Sequence, residues 1–405
     1  MKTELDALMQ ARNLDGMLVV GNAEHNPPMT YLTGGGHVSQ AVLIKKRGQP
    51  AVLFCNSMER EEAARSGLKV VPMPAAPLRR LLGDDAVQMF AEAGLTTGRA
   101  GIYGQADVST VLAALSNLQA ALPGLSFVGE NADDSLFLRA METKDEAEVA
   151  RIRHMGGITT AVVGLVAEYL TGCAVRDDEV LLAEDGAPLT IGAVKGKISL
   201  WLAERGAESP EGFIFAIGRD AGVPHSVGNP DDLLRLGRTI VFDIYPAEAG
   251  GGYFYDFTRT WSLGYATPEA QKLYDEVKAV YDKVMDNLDL NAPFRDYQKL
   301  VCEEFEKNGH PTPLNTPAPV EGYVHSLGHG LGLNIHERPW SGLSADEGNR
   351  LQPGVVMTVE PGLYYPEKGL GVRIEDSYWV RPDGNMELLA GYPYDFVLKM
   401  KKWGG

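Results

Sequence analysis

Acidic residues interrupt apolar strands at four places in the second half of this chain. No other feature constrains its fold as tightly. RTIVFDIYPA carries Asp243 and GGYFYDFTRTW carries Asp256, while VVMTVEPGLYY carries Glu360 and GVRIEDSYWV carries Glu375. The flanking aliphatic and aromatic residues read as strands with at least one buried face. A carboxylate inside such a strand is costly unless it is paired or bound to a cation.

The acids come in turn-linked pairs. PAEAGGG, between Asp243 and Asp256, is rich in residues that turn a chain. A hairpin with Ala249 and Gly250 at its apex sets the two aspartates directly opposite each other, with Cβ atoms about 4.5–5.5 Å apart. Two carboxylates that close repel, and a divalent cation removes the penalty. LYYPEKGLG repeats the construction: an apex at Glu367 and Lys368 places Glu360 opposite Glu375. Together the pairs form a four-carboxylate cage suited to two divalent ions about 3.5–4 Å apart. His329, in HSLGHGLGLNIHERP with His325 and His336, stands among glycines that let backbone approach a site closely. One imidazole beside four carboxylates moves the preference from magnesium or calcium to manganese, cobalt or zinc. His225 is isolated in the loop GVPHSVGNP.

Each residue alone has a duller explanation. Asp243 or Asp256 could be a turn or strand-edge acid, Glu360 could end a strand before Pro361, and Glu375–Asp376 could be an exposed pair. His325 and His329 could share a helix face, although Gly328 and Gly330 oppose a helix. The metal centre is implied by all five arising together on turn-linked strands.

The rest of the chain supplies a frame. Its 405 residues allow two or three domains, with 44% hydrophobic and 22% charged residues. A formal net charge of −17 argues against nucleic-acid or anionic-membrane partners, which call for clustered Lys and Arg. Cys55, Cys173 and Cys302 lie far apart with no zinc-finger spacing, so free thiols in a reducing compartment are expected. The N-terminus lacks an apolar signal core and no run approaches the ~18 apolar residues of a membrane span, so a cytoplasmic location is expected. Residues 15–75 read as strands, with a hairpin turning at Gly48 and Pro50. RAGIYG and LSFVGE add two more, and helices are expected at Ser57–Ser66 and Ser109–Leu122, giving an α/β layer domain. His25 and His37 stand alone and read as structural or surface residues. RAMETKDEAEVAR opens a long helix to about Leu170 and sets a domain boundary near 140. Helices near 268–288 and 293–308 and a strand-rich end, including YPYDFVLKM, follow.

Together, FDIYPAEAGGGYFYDFTRTW, HSLGHGLGLNIHE, TVEPG and GVRIED resemble the signature segments of the pita-bread metallopeptidases, the family of methionine aminopeptidase, Xaa-Pro aminopeptidase, prolidase and creatinase. MTYLTGG and the link LRAMETKDEAEVARIR resemble the creatinase-type N-terminal part. The resemblance implies an α/β (α+β) chain: a creatinase-like N-terminal α/β domain at 1–140, then a pita-bread catalytic domain at 141–405 with a curved antiparallel sheet. It implies Asp243, Asp256, His329, Glu360 and Glu375 as metal ligands, with Asp256 and Glu375 bridging and Glu360 also the general base. It makes His225 the residue steadying the tetrahedral intermediate and His336 the one contacting the scissile peptide. His325 and Arg373 would line the proline pocket, and Arg373 or Arg338 would anchor a substrate carboxylate. The implied activity is Xaa-Pro hydrolysis by a hydroxide held between two divalent ions, manganese first, then cobalt or zinc. A dipeptide is the first substrate expected and a homodimer the expected assembly. Xaa-Pro aminopeptidase action on longer peptides, a metal-dependent small-molecule C–N hydrolase and a non-catalytic scaffold are the alternatives. Two departures stand out: the 13-residue step from Asp243 to Asp256, two longer than in most relatives, and a long 171–211 stretch. An insertion of two keeps both side chains on one face.

Overall fold

The computed structural model describes residues 4–403. They form two compact units, one made of the chain up to Met141 with Ala249–Gly252, the other of Glu142–Glu248 and the chain from Tyr253 onward.

The first unit is built on β1 (Gly16–Gly21), β2 (Ala41–Lys46), β3 (Val52–Asn56), β4 (Lys69–Met73), β5 (Gly98–Gln105) and β6 (Leu125–Val128), in the order β4-β3-β2-β1-β5-β6. The expected hairpin is β2–β3. Helices Asp85–Glu92 and Val108–Ala121 cover the sheet, and Leu18, Ile44, Phe54, Phe90 and Leu118 share one core. Asp107 starts the second helix by accepting a hydrogen bond from the Thr110 amide. His37 lies at the surface, 3.0 Å from Glu24.

The second unit opens with the helix Glu146–Gly172. Asp145 and Glu148 form a capping box at its start, which is why the charge-rich METKDEAE run begins a helix. Against the sequence expectation, this helix is long and apolar enough to cross a membrane, with a mean hydropathy of 1.2 over its most apolar 18 residues. Half of that stretch is buried, and Ile152, Val162, Val166 and Leu170 are among the buried residues, as in a core helix.

The strands that position the site follow: β7 (Phe213–Ile217), β8 (Thr239–Ile244), β9 (Phe257–Leu263), β10 (His329–Gly330), β11 (Glu337–Trp340), β12 (Val356–Val359), β13 (Gly362–Tyr365), β14 (Leu370–Arg373), β15 (Asp376–Val380), β16 (Met386–Leu388) and β17 (Val397–Leu398). One sheet runs β7-β8-β9-β17 and another β11-β10-β12-β15-β16, with β13–β14 a separate hairpin. A single bridge, Thr258↔Glu375, links β9 to the residue before β15. Helices Pro268–Asp286 and Phe294–Lys307 bury Leu273, Val277, Val284, Val301 and Phe305 against Met357, Val359 and Val372. Their 3–4-residue spacing puts these side chains on one helix face, and each buried aliphatic contributes about 1.5–3 kcal/mol.

Three expectations are corrected. The aspartate hairpin is offset by two residues: Asp243 pairs with Thr258, so Asp256 is its diagonal neighbour on the same face. The apex falls on Gly250 and Gly251 (φ +89° and +82°), because a tight turn needs left-handed backbone there that Ala249 would adopt only with strain. VVMTVEPGLYY and GVRIEDSYWV are not single strands. The first breaks at Glu360–Pro361 and the second at Ile374–Glu375, where the chain leaves the hairpin for the sheet. Lastly, YPYDFVLKM supplies only the two residues of β17.

Candidate metal centre

The glutamate pair keeps the register read from its turn. Gly362↔Arg373 in the hairpin and Val359↔Asp376 in the sheet flank Glu360 and Glu375 symmetrically. Glu360 is fixed by its amide donating to the Leu327 carbonyl (2.8 Å), Glu375 by its amide donating to the Thr258 carbonyl (3.1 Å). Asp243 lies one residue before the end of β8, paired with Ile214 of β7, and Asp256 stands one residue before β9. His329 reaches the same point because its neighbours have no side chains. A Cβ on Gly328 would come within 2.1 Å of the Thr358 carbonyl oxygen, and one on Gly330 within 1.9 Å of that of Arg338.

Ligand atoms of Asp256, His329 and Glu375 lie within 4.8 Å of one another, all three side chains buried. His329 Nε2 is 3.3 Å from Glu360 Oε1 and 3.6 Å from Asp256 Oδ2. Its Nδ1 faces the Gly330 carbonyl at 3.0 Å, and a carbonyl only accepts, so Nδ1 carries the proton and Nε2 faces the acids. Asp243 Oδ1 and Glu375 Oε1 are buried without a hydrogen-bond partner. The remaining oxygens are held: Thr258 donates to Glu375 Oε2 (2.8 Å), the Phe257 amide to Asp256 Oδ1 (2.9 Å), and Arg373 to Asp243 Oδ2. A converging set of carboxylates and one imidazole, with orphaned oxygens aimed inward, fits divalent cations of the borderline class.

The titration behaviour fits the same need. Burial, then mutual repulsion, pushes Asp256 and Glu375 well above the usual carboxylate range; burial raises Asp243 too, against the pull of Arg373. Burial opposes the charged form of His329, yet its hydrogen bond to Glu360 and the charges of Glu360 and Asp256 lift it to about 9. Burial works against ionised Glu360 as well, and protonated His329 brings it down to about 2. Burial and mutual repulsion are the penalties that bound cations would relieve at these acids.

The acids open into a cavity of about 440 Å³ that is also lined by His225, His325, His336 and Arg373. All nine residues singled out for the site therefore share one cavity; Arg338, the alternative anchor, instead lies buried beside Glu142 (3.4 Å). His336 packs on His329 (ring centroids 4.3 Å apart), and burial together with the His329 charge lowers it to about 4 although its side chain is open to water. His325 Nδ1 donates to the Ser326 carbonyl (2.7 Å), leaving Nε2 to accept from Tyr364 (2.9 Å). Arg373 donates to Tyr364 (2.7 Å), Thr258 (3.2 Å), the Pro224 carbonyl (3.4 Å) and Asp243. Sequence reasoning missed Thr258, Tyr364, Tyr245 and Trp340. Tyr245 had a signal, since it lies two residues beyond Asp243, on the same face of an extended chain.

The family model of metallopeptidase family M24 matches residues 151–382, more than half of the chain and all of this site. The chain belongs to family M24. A second model, the creatinase/prolidase N-terminal domain, matches residues 2–132. Among M24 relatives, the chain is 31% identical over 194 residues to the uncharacterized peptidase YqhT of Bacillus subtilis, covering 48% of this chain and 51% of that protein. It is 27% identical over 252 residues to the Xaa-Pro dipeptidase of Pyrococcus furiosus, covering 62% and 63%. These matches span less than two thirds of either relative's own length. The fold is that of a dipeptidase from Pyrococcus horikoshii (TM-score 0.76, 22% identity, 98% of this chain and 99% of that one) and an Xaa-Pro dipeptidase from Bacillus anthracis (0.78, 20%, 98% of each). It is a mixed α/β fold, with a creatinase-like N-terminal domain followed by an M24 pita-bread domain.

Proposed function

We propose that this M24 member hydrolyses the Xaa-Pro peptide bond, most simply in dipeptides, with residues 1–140 as its N-terminal domain and 141–405 as its catalytic domain. The carrying observation is the five-residue ligand constellation opening into one cavity with three further histidines. Asp243, Asp256, His329, Glu360 and Glu375 would hold two divalent ions, manganese first and cobalt or zinc next. When bound, such ions supply Lewis acidity and an activated water near neutral pH. Glu360 takes the proton of the attacking water and passes it to the leaving prolyl nitrogen. His225 steadies the developing oxyanion and His336 holds the scissile amide. His325 contributes a wall, since both of its nitrogens already have protein partners. Arg373 keeps Asp243 in place and faces the proline side.

A second reading, Xaa-Pro aminopeptidase action on longer peptides, is favoured by one observation. The donors of Arg373 are engaged within the protein, and Arg338 lies buried beside Glu142, so neither is poised for a free carboxylate. Three separated, buried free cysteines support a reducing, cytoplasmic setting, and a homodimer is the assembly we propose. The test is hydrolysis of Ala-Pro and Ala-Pro-Ala by manganese-loaded protein, followed by mass spectrometry. Cleavage of Ala-Pro alone establishes the dipeptidase, and cleavage of Ala-Pro-Ala the aminopeptidase. Cleavage of neither, with metal bound, refutes both and moves the assignment to a small C–N substrate.

A further inference from the structure

One acid in the cavity wall has no part in the ligand cluster. Glu211 lines the same space as Asp243 and Glu360 but stands exposed at the rim, and no cation among the described residues pairs with it. It ends the long 171–211 stretch, the part of the chain for which the family resemblance supplied no role.

Its position is set by regular structure. The turn from Ser209 to Gly212 is closed by the Gly212 amide donating to the Ser209 carbonyl (3.1 Å), and Gly212 has φ +79°. β7 starts at the next residue, with Phe213 paired to Ile244 and Ile214 to Asp243. Lys195, from helix Ile191–Ala203 of the same stretch, ties the start of β7 to the loop that carries Val227. Its ammonium donates to the Phe213 carbonyl (3.2 Å) and the Val227 carbonyl (2.8 Å), and it lies 5.1 Å from the Phe213 ring centroid. Val227 lines the cavity as well. Glu211 thus projects from a braced backbone at the rim of a cavity that apolar Ile214 and Val227 also line.

We propose that Glu211 selects the charge of the substrate's first residue, favouring Lys or Arg over Asp or Glu at that position. The inference deepens the Xaa-Pro reading and rests on it. The substrate's α-ammonium is two bonds from the scissile carbonyl carbon, so it must sit down among the buried acids. A charge further out, at the exposed rim, is reached by the end of a long first side chain. The apolar wall below Glu211 suits the methylene stem of Lys or Arg, which buries its stem while its head stays hydrated.

The experiment compares kcat/KM for Lys-Pro and Glu-Pro in wild type and Glu211→Gln, with manganese bound to both. An exposed ion pair is weak, but the variant loses both the attraction for Lys-Pro and the repulsion of Glu-Pro, so the Lys-Pro to Glu-Pro ratio should fall by about two- to thirtyfold, mostly through KM. The wild-type ratio should shrink with added salt, and that of the variant should not. An unchanged ratio overturns the proposal. So does a shift confined to Ala-Pro-Lys against Ala-Pro-Glu, which would turn Glu211 toward the other end of the peptide. If metal-loaded wild type cleaves none of these peptides, the Xaa-Pro reading fails, and this inference with it.

Discussion

Replacing Arg259 with Met should destabilise this protein strongly. Arg259 is 1% exposed and donates five hydrogen bonds: to Asp376 Oδ1 (2.9 Å) and to the carbonyls of Thr258 (3.0 Å), Glu375 (2.9 Å), Tyr392 (2.9 Å) and Pro393 (3.0 Å). Asp376, fully buried, also accepts from Tyr281 and Tyr394 (2.7 Å each). Methionine fills much of the volume but leaves Asp376 without its countercharge. Breaking a buried pair from one side costs about 3–5 kcal/mol. The four carbonyls add to this, less than additively because Met relaxes into the space, so the total is about 4–6 kcal/mol. At roughly 2–4 °C per kcal/mol for a unit of this size, the midpoint should fall by about 8–24 °C. The assay is thermal unfolding with a chelator present, so that metal binding does not contribute. Arg259→Met/Asp376→Leu should regain part of the loss, because no charge is then stranded. A midpoint within about 2 °C of wild type for Arg259→Met would refute the reasoning.

Further predictions concern the centre and its supports. Glu375→Ala should lower bound manganese by at least one ion per chain on elemental analysis, and full retention removes Glu375 from the ligand set. Thr258→Val deletes the hydroxyl that donates to Glu375 Oε2, leaving that oxygen unsatisfied; metal affinity should weaken by about tenfold, judged from the usual effect of losing such supports, and unchanged affinity contradicts it. His225→Ala should slow turnover with metal content intact, and full activity would remove its role. Burial lowers the pKa of His325 below its ordinary 6.5. Protonation therefore favours the unfolded chain: the stability tied to neutral His325 is complete above about pH 6.5 and declines as the pH falls below it. Urea unfolding at pH 7 and pH 5 should show wild type losing more stability than His325→Gln, and equal losses count against the account.

Much of the fold was legible because it depends on local pattern. The six strands of the first unit, the capping box at Asp145 and Glu148, and the helices from Pro268 and Phe294 all announce themselves by periodicity and end residues. Glu360 and Glu375 fell into register because Pro366–Gly369 makes a symmetric turn between them. The aspartate register was missed by two residues, since the apex had to be chosen among Ala and Gly neighbours and only backbone φ decides that. Thr258 and Tyr364 were missed because an ordinary hydroxyl in a strand has no local signature. Its importance comes from partners more than a hundred residues away in one case and from a three-way bond with His325 and Arg373 in the other. The apolar length of the Glu146–Gly172 helix was overlooked because the charges near its start mask it.

The residues of the centre are scattered from 243 to 375 and converge only through two sheets and the hairpin between them. No short stretch of this chain contains the whole proposed ligand set, and the long loops that must close before the acids meet should make their meeting a late event in folding. Manganese binding should therefore serve as a clock. In refolding mixtures the free-ion signal should stay flat while helices form, then fall in step with recovery of native tertiary packing. Truncated or misfolded chains would compete little for metal, so intact molecules would load selectively from a limited supply.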